Sequence, residues 1–220
     1  MSRKVHAITV LMAAFIVTGS VNLLSQDKGA AAKDVQENIV QNGGFEKWTT
    51  IDPSKKGALT PKLTNDAIPE NWVPESEVGA TGLVGKDASG DKNACAVIEH
   101  KEPVITSLVE WIKVKPNSTY VLRCRIKADN VVSSPKEAGA PFIWVVSGPE
   151  ENYWSNQQFN PKQLKGGTYD WEPYEFTFTT NEKSEKAALK FQLRLASGKF
   201  YFDDVVITEV AQKSKSVQSF

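Results

Sequence analysis

The sequence predicts an all-β protein built as an antiparallel sandwich. Short segments alternate apolar with polar residues at a period of two, the period of a strand whose two faces meet different surroundings. Gly, Pro, Asn and Asp clusters separate these segments at close intervals, as turns do. No stretch sustains a helical period. The 220 residues, 40% of them hydrophobic and 10% aromatic, can build a sizeable core. With 26 basic and 26 acidic residues the formal net charge is zero, so there is no electrostatic footprint for nucleic acid or an anionic membrane.

In chain order, Arg3 and Lys4 precede an apolar run over 7–24. This reads as a secretory signal peptide spanning 1–24, cut after Ser20 or as late as Ala32. The run approaches the length of a membrane span, so an uncleaved anchor is the alternative. No cysteine follows it that would take a lipid. Residues 25–37 are small and polar, a flexible linker. No composition break or repeat interrupts 38–210, which reads as one domain. Residues 211–220, rich in Lys, Ser and Gln, form a frayed tail. A secreted, periplasmic or cell-surface location follows from the leader.

Within the domain, Asn38-Ile-Val-Gln-Asn-Gly-Gly-Phe-Glu46 reads as a short strand, a glycine turn, then an aromatic and an acid. Residues 52–70 carry three prolines and read as a long loop. Cys95 sits in an apolar strand, Ala94-Cys-Ala-Val-Ile98. In Val109-Glu-Trp-Ile-Lys-Val114, the pair Ile112 and Val114 is expected inside, which puts Trp111 and Lys113 outside. Pro116-Asn117 is a turn, and that role accounts for the Asn117-Ser-Thr119 glycosylation pattern. In the strand after it, Tyr120, Leu122, Cys124, Ile126 and Ala128 share one face, while Arg123, Arg125 and Lys127 share the other. Tyr174, Phe176 and Phe178 alternate with polar residues, and Lys190, Gln192 and Arg194 alternate with Leu189, Phe191, Leu193 and Leu195. One solvated face per sheet is the mark of an antiparallel sandwich.

The last strand, Lys199-Phe-Tyr-Phe-Asp-Asp-Val-Val-Ile207, carries two adjacent acids. Regular alternation places Asp203 with Tyr201, Val205 and Ile207, and Asp204 with Phe202 and Val206. Val205 and Ile207 look like the core face. A buried acid needs a partner: a cation, backbone N–H groups or a metal. If the first and last strands lie side by side, Glu46 converges with Asp203 or Asp204. Carboxylates with a carbonyl near Gly43 or Gly44 are the hard oxygen ligands calcium takes.

Asn42-Gly-Gly-Phe-Glu46 and Phe202-Asp-Asp-Val205 resemble the jelly-roll carbohydrate-binding modules attached to bacterial cellulases and xylanases. Pro69-Glu-Asn-Trp72, Pro116-Asn-Ser-Thr-Tyr120 and Gly167-Thr-Tyr-Asp-Trp171 agree in order, and the resemblance covers about 38–210. It implies a galactose-binding-like jelly roll. It also implies a structural calcium held by Gly44, Glu46, Asp203 and Asp204, and a glycan laid on one sheet. Trp72 and Trp171 stand where the family has structural tryptophans.

Sugar rings stack on flat aromatics, and their hydroxyls bond to polar side chains. Trp111, Trp144, and the loop pair Tyr153 and Trp154 with Gln157 are the candidates for a binding face. Arg123, Arg125 and Gln192 are candidates for its polar floor. Polysaccharide or oligosaccharide is thus the expected ligand. A structural or protein-contact domain of the cell envelope or a secreted complex is the second reading, and exposure of the aromatics discriminates between them. A small hydrolase or lyase is the third. His6 falls in the leader, which leaves His100 and excludes a His-rich zinc or two-His iron site. Gly-x-Ser-x-Gly is absent, and the acid pairs lack a distinctive context, so no enzyme is expected. Cys95 and Cys124 fit either a disulfide or two buried thiols.

Overall fold

The computed structural model describes residues 37–50, 62–63, 67–76, 82–87, 94–135 and 138–211. The leader, the linker up to Gln36 and the tail after Ala211 lie outside the described residues. The strands are β1 (Trp48–Thr50), β2 (Lys62–Leu63), β3 (Ala67–Pro69), β4 (Trp72–Ser76), β5 (Leu83–Asp87), β6 (Cys95–Lys113), β7 (Thr119–Ser133), β8 (Ala140–Gly148), β9 (Gln158–Gln163), β10 (Gly167–Thr179) and β11 (Lys186–Glu209). β1 pairs with β3 as a separate ribbon. The stretch 52–70, expected as loop, therefore contains β2 and β3; Pro69 closes β3 in a two-stranded ribbon, where a missing donor costs little.

Two long strands build both layers of a jelly roll. The first half of β11 pairs with β8 on one side and with the second half of β6 on the other. β4 extends that layer beyond β6, and β9 extends it beyond β8. The second half of β11 pairs with β7 and with the first half of β6. β10 and β5 flank this second layer. The turnover between layers falls at register shifts around Ala196. Leu195 takes a positive φ of 48° there, and Gly198 a φ of 105°. A Cβ on Gly198 would lie 2.3 Å from the Asn130 carbonyl oxygen, so only glycine fits the corner. Leu195 consequently leaves the buried pattern of Leu189, Phe191 and Leu193.

The layers meet through aromatic rings. Phe191 of the first stacks flat on Phe202 of the second, centroids 4.3 Å apart. Phe45 packs edge-on to Phe202 at 5.4 Å and against Trp72 at 5.1 Å. Tyr120, Leu122, Cys124, Ile126 and Ala128 all face this core, as their alternation requires. Full burial of each large apolar side chain contributes roughly 1.5–3 kcal/mol.

The end of β11 departs from simple alternation. Phe200, Phe202, Val205 and Ile207 are all in the core, whereas Tyr201 belongs to a separate cluster with Cys95 and Val97. The register slips between Asp203 and Val206, and Asp204 has a φ of 51°. This bulge overturns the expected grouping of Tyr201 with Val205 and Ile207, because an extra residue inverts the facing of everything after it. Cys124 lies in the main core and Cys95 in the outer cluster; both are free thiols. Cys95 donates instead to the Asp87 carbonyl at 2.9 Å.

Candidate functional site

The outward residues of the first layer come together as an aromatic face. Ala188 sits in register between Trp111 and Val146, and Val146 pairs with Phe159. Lys190 sits between Val109 and Trp144. One row of the face therefore runs Trp111, Ala188, Val146, Phe159 across four strands. Trp111 is 44% exposed and Phe159 57%. After β8, a single 3-10 turn (Tyr153–Ser155) carries Trp154, 77% exposed, against Tyr153 beside that row. Trp111, Tyr153, Trp154, Gln157 and Phe159 line a cleft over Ala188 and Lys190.

Tyr153 differs from its neighbour: it is buried at 5% exposure. Its hydroxyl donates to the Val146 carbonyl at 2.5 Å. Its ring meets Trp111 at 5.0 Å and Trp154 at 5.3 Å, edge-to-face with both. Lys186 Nζ lies 5.5 Å from the rings of Trp111 and Tyr153. Trp144 is half-buried beside Phe142, at 5.6 Å, and its indole N–H has no hydrogen-bond partner. Gln192 donates to Ser107 Oγ at 2.9 Å, and Lys190 pairs with Glu75 at 2.9 Å.

The structure does not bring Arg123 and Arg125 to this face. They lie on β7, in the other layer. Arg123 pairs with Glu175 at 2.5 Å, while Arg125 stacks on Trp171 at 5.0 Å and stands 3.8 Å from Asp204. Alternation correctly put both arginines on a solvated face but could not say which of two such faces. Trp72 is buried in the core. Trp171 instead packs half-buried on the outside of the second layer, against Tyr201. Sequence reasoning passed over Phe159, an aromatic between Gln158 and Asn160 in a polar strand. It also passed over Glu110, whose parity with Ile112 and Val114 places it inward. Glu110 is 1% exposed and accepts from the Gln41 backbone N–H at 2.7 Å. Its second oxygen has no partner, and burial pushes its carboxyl up to about 7, against that hydrogen bond.

At the opposite corner the first and last segments lie side by side. Ile39 N–H donates to the Ile207 carbonyl at 3.0 Å, and Val205 N–H to the Gly43 carbonyl at 2.9 Å. A Cβ on Gly43 would stand 2.0 Å from the Val205 carbonyl oxygen, so the turn needs glycine. Asp203 is 1% exposed; one oxygen accepts from Asp204 N–H at 2.8 Å, and the other has no partner. Burial pushes its carboxyl up to about 6; the charges of Asp204 and Glu46 push the same way, against the Asp204 N–H bond and Arg125. Gly44 is half-buried with open space beside it, and Glu46 is exposed. Among the described residues no three His, Cys, Asp or Glu side chains form a metal-binding group by themselves. Asp203 thus keeps one buried carboxylate oxygen without a partner, and carboxylate oxygens with backbone carbonyls are the ligand type that calcium takes.

No protein-family model matches the sequence, and no curated protein matches it. Solved structures do share the fold, a jelly-roll β-sandwich. The enzymatically active domain of bacteriophage CBA120 tailspike protein 4 superposes with a TM-score of 0.52 at 12% identity, over 79% of this chain and 21% of that one. An arabinose-bound MgGH51 α-L-arabinofuranosidase gives 0.50 at 13% identity, over 78% and 26%. A family 4 carbohydrate-binding module gives 0.48 at 21% identity, over 77% and 99%. The chain thus spans about a quarter or less of the two enzymes' lengths. The similar structures are mostly carbohydrate-binding modules of β-sandwich type.

Proposed function

We propose that the protein is an exported, non-catalytic carbohydrate-binding module that takes a polysaccharide or oligosaccharide on the outer face of its first layer. The observation that carries this is the row from Trp111 to Phe159, with Trp154 exposed beside it. Large aromatic surface held open to solvent beside polar side chains costs the fold stability unless a ligand uses it. Lys190, Gln192 and Gln157 supply hydroxyl partners beside the rings. Export rests on the leader at 1–24.

Affinity electrophoresis tests the reading, with cellulose derivatives, xylan, β-glucan, mannan, pectin or alginate in the gel. One class is expected to retard the protein, and Trp154→Ala to abolish the retardation. A folded protein that runs freely through every polymer would instead favour the same face as a protein contact.

We further propose that calcium occupies the corner between the chain's two ends, held by Asp203, Glu46, Asp204 and the Gly44 carbonyl, as a structural ion. Asp203's unpartnered oxygen supports this. Thermal unfolding with calcium and with chelator is the check. The chelator is expected to lower the melting temperature of the protein but not that of Asp203→Asn, and equal effects on both would remove the site.

A further inference from the structure

The deepest-anchored side chain of the aromatic face is the one least able to touch a ligand. Tyr153 is buried, yet it is joined to nearly every part of the cleft. Its hydroxyl donates to Val146 O on β8, and Ala188 and Gln157 line the cleft beside it. One ring edge or face meets Trp111 of β6, and another meets Trp154 on its own turn. Gly148 makes room for it: a Cβ there would stand 2.9 Å from Tyr153 Cδ2. The turn that carries it is short, opened by Asn152 at a φ of 54° and closed by Asn156 N–H on the Tyr153 carbonyl. Nothing else among the described residues stacks on the Trp154 ring. A 77%-exposed tryptophan on a three-residue turn would sample many rotamers unless a rigid neighbour limits them.

From this geometry we infer that Tyr153 is a positioning residue: a wedge that holds Trp111 and Trp154 as the two walls of the glycan cleft while making no stacking contact with sugar itself. This rests on the reading of that face as a glycan site. Pre-ordering the walls spares the ligand the entropy of ordering them on binding. The contacts divide the work. The ring sets the spacing and the perpendicular approach of the two indoles. The hydroxyl fixes the ring to β8.

The test compares Tyr153→Leu and Tyr153→Phe with the unsubstituted protein. Three quantities are read well below the unfolding temperature: affinity for the polysaccharide that retards the protein, near-ultraviolet circular dichroism, and acrylamide quenching of tryptophan emission. Tyr153→Leu is expected to weaken binding by ~10-fold or more, a tenfold change being the unit of one strong contact. It is also expected to raise quenching and flatten the near-ultraviolet signal. Tyr153→Phe keeps the wedge and is expected to lose only about threefold. A part that merely stabilised the fold would lower the melting temperature and leave the affinity and spectra of folded protein unchanged; that result in Tyr153→Leu overturns the inference. If Tyr153→Leu does not fold, Tyr153→Phe decides: affinity and quenching identical to the unsubstituted protein overturn it. If the protein binds no polysaccharide, the glycan reading fails by itself, and the quenching and dichroism still report whether Tyr153 orders the two indoles.

Discussion

The two outer faces of the sandwich share two strands, β6 and β11, and both carry aromatics and cations. They use them in opposite ways. On the second layer Trp171 lies under the Arg125 guanidinium, Tyr201 is 5.8 Å from Lys127 Nζ, and Arg123 is tied to Glu175. Lys127 in turn reaches Asp170 at 3.4 Å. Each of these rings and charges has a partner from its own face. On the first layer Trp154 and Phe159 face solvent, and the cations that approach the face, Lys186 and Lys190, sit at its margin or its floor, paired with Glu150 and Glu75. An aromatic on an outward strand position is thus open to a ligand only where the fold leaves its ring uncovered. Composition of the strand does not distinguish the cases.

Substitutions can break or sharpen this contrast. Both faces stand on one core, so Phe202→Ala should undermine both at once and cost ~3–5 kcal/mol in denaturant unfolding, the usual range for a buried phenylalanine. A cost under ~1 kcal/mol would mean that the layers do not depend on each other.

Glu110, beneath the first layer, predicts a pH effect. Its carboxyl is raised from 4.5 to about 7 by burial, so the folded state holds the proton more tightly than the unfolded one. Its contribution is fully present below pH 4.5 and is lost as pH rises to 7, by ~3 kcal/mol at most. Glu110→Gln should flatten this part of the stability profile and leave the aromatic face intact. A profile that keeps its slope in the variant would assign the effect elsewhere.

The tryptophans separate the faces directly. Trp111→Ala is expected to weaken glycan binding by ~10-fold or more. Trp171→Ala should leave affinity unchanged and lower stability by ~1–2 kcal/mol through lost packing and cation–π contact. The reverse pattern would move the site to the second layer. Smallest of all, Arg123→Ala removes an ion pair exposed on both sides and should shift stability by less than ~0.5 kcal/mol, with no effect on binding.

Much of this protein is legible without coordinates. Alternation along 120–128, 174–178 and 189–194 is set by chemistry that each strand carries locally, and every inward residue it names is at least half-buried in the structure. The outward pointing of Trp111 followed from Ile112 and Val114 alone. The approach of the first segment to the last strand entered the sequence reading only as a condition, and the bonds of Ile39 to Ile207 and of Val205 to Gly43 meet it. What the sequence does not hold is non-local. The bulge at Asp203 and Asp204 reverses alternation because the first segment must pass beside Val205. The turnover near Ala196 divides β11 between two layers, so Gln192 and Arg125, both outward, end on opposite sides of the molecule. Whether a ring is covered depends on which strand lies next to it, and adjacency of strands far apart in sequence is fixed only when the layers pack.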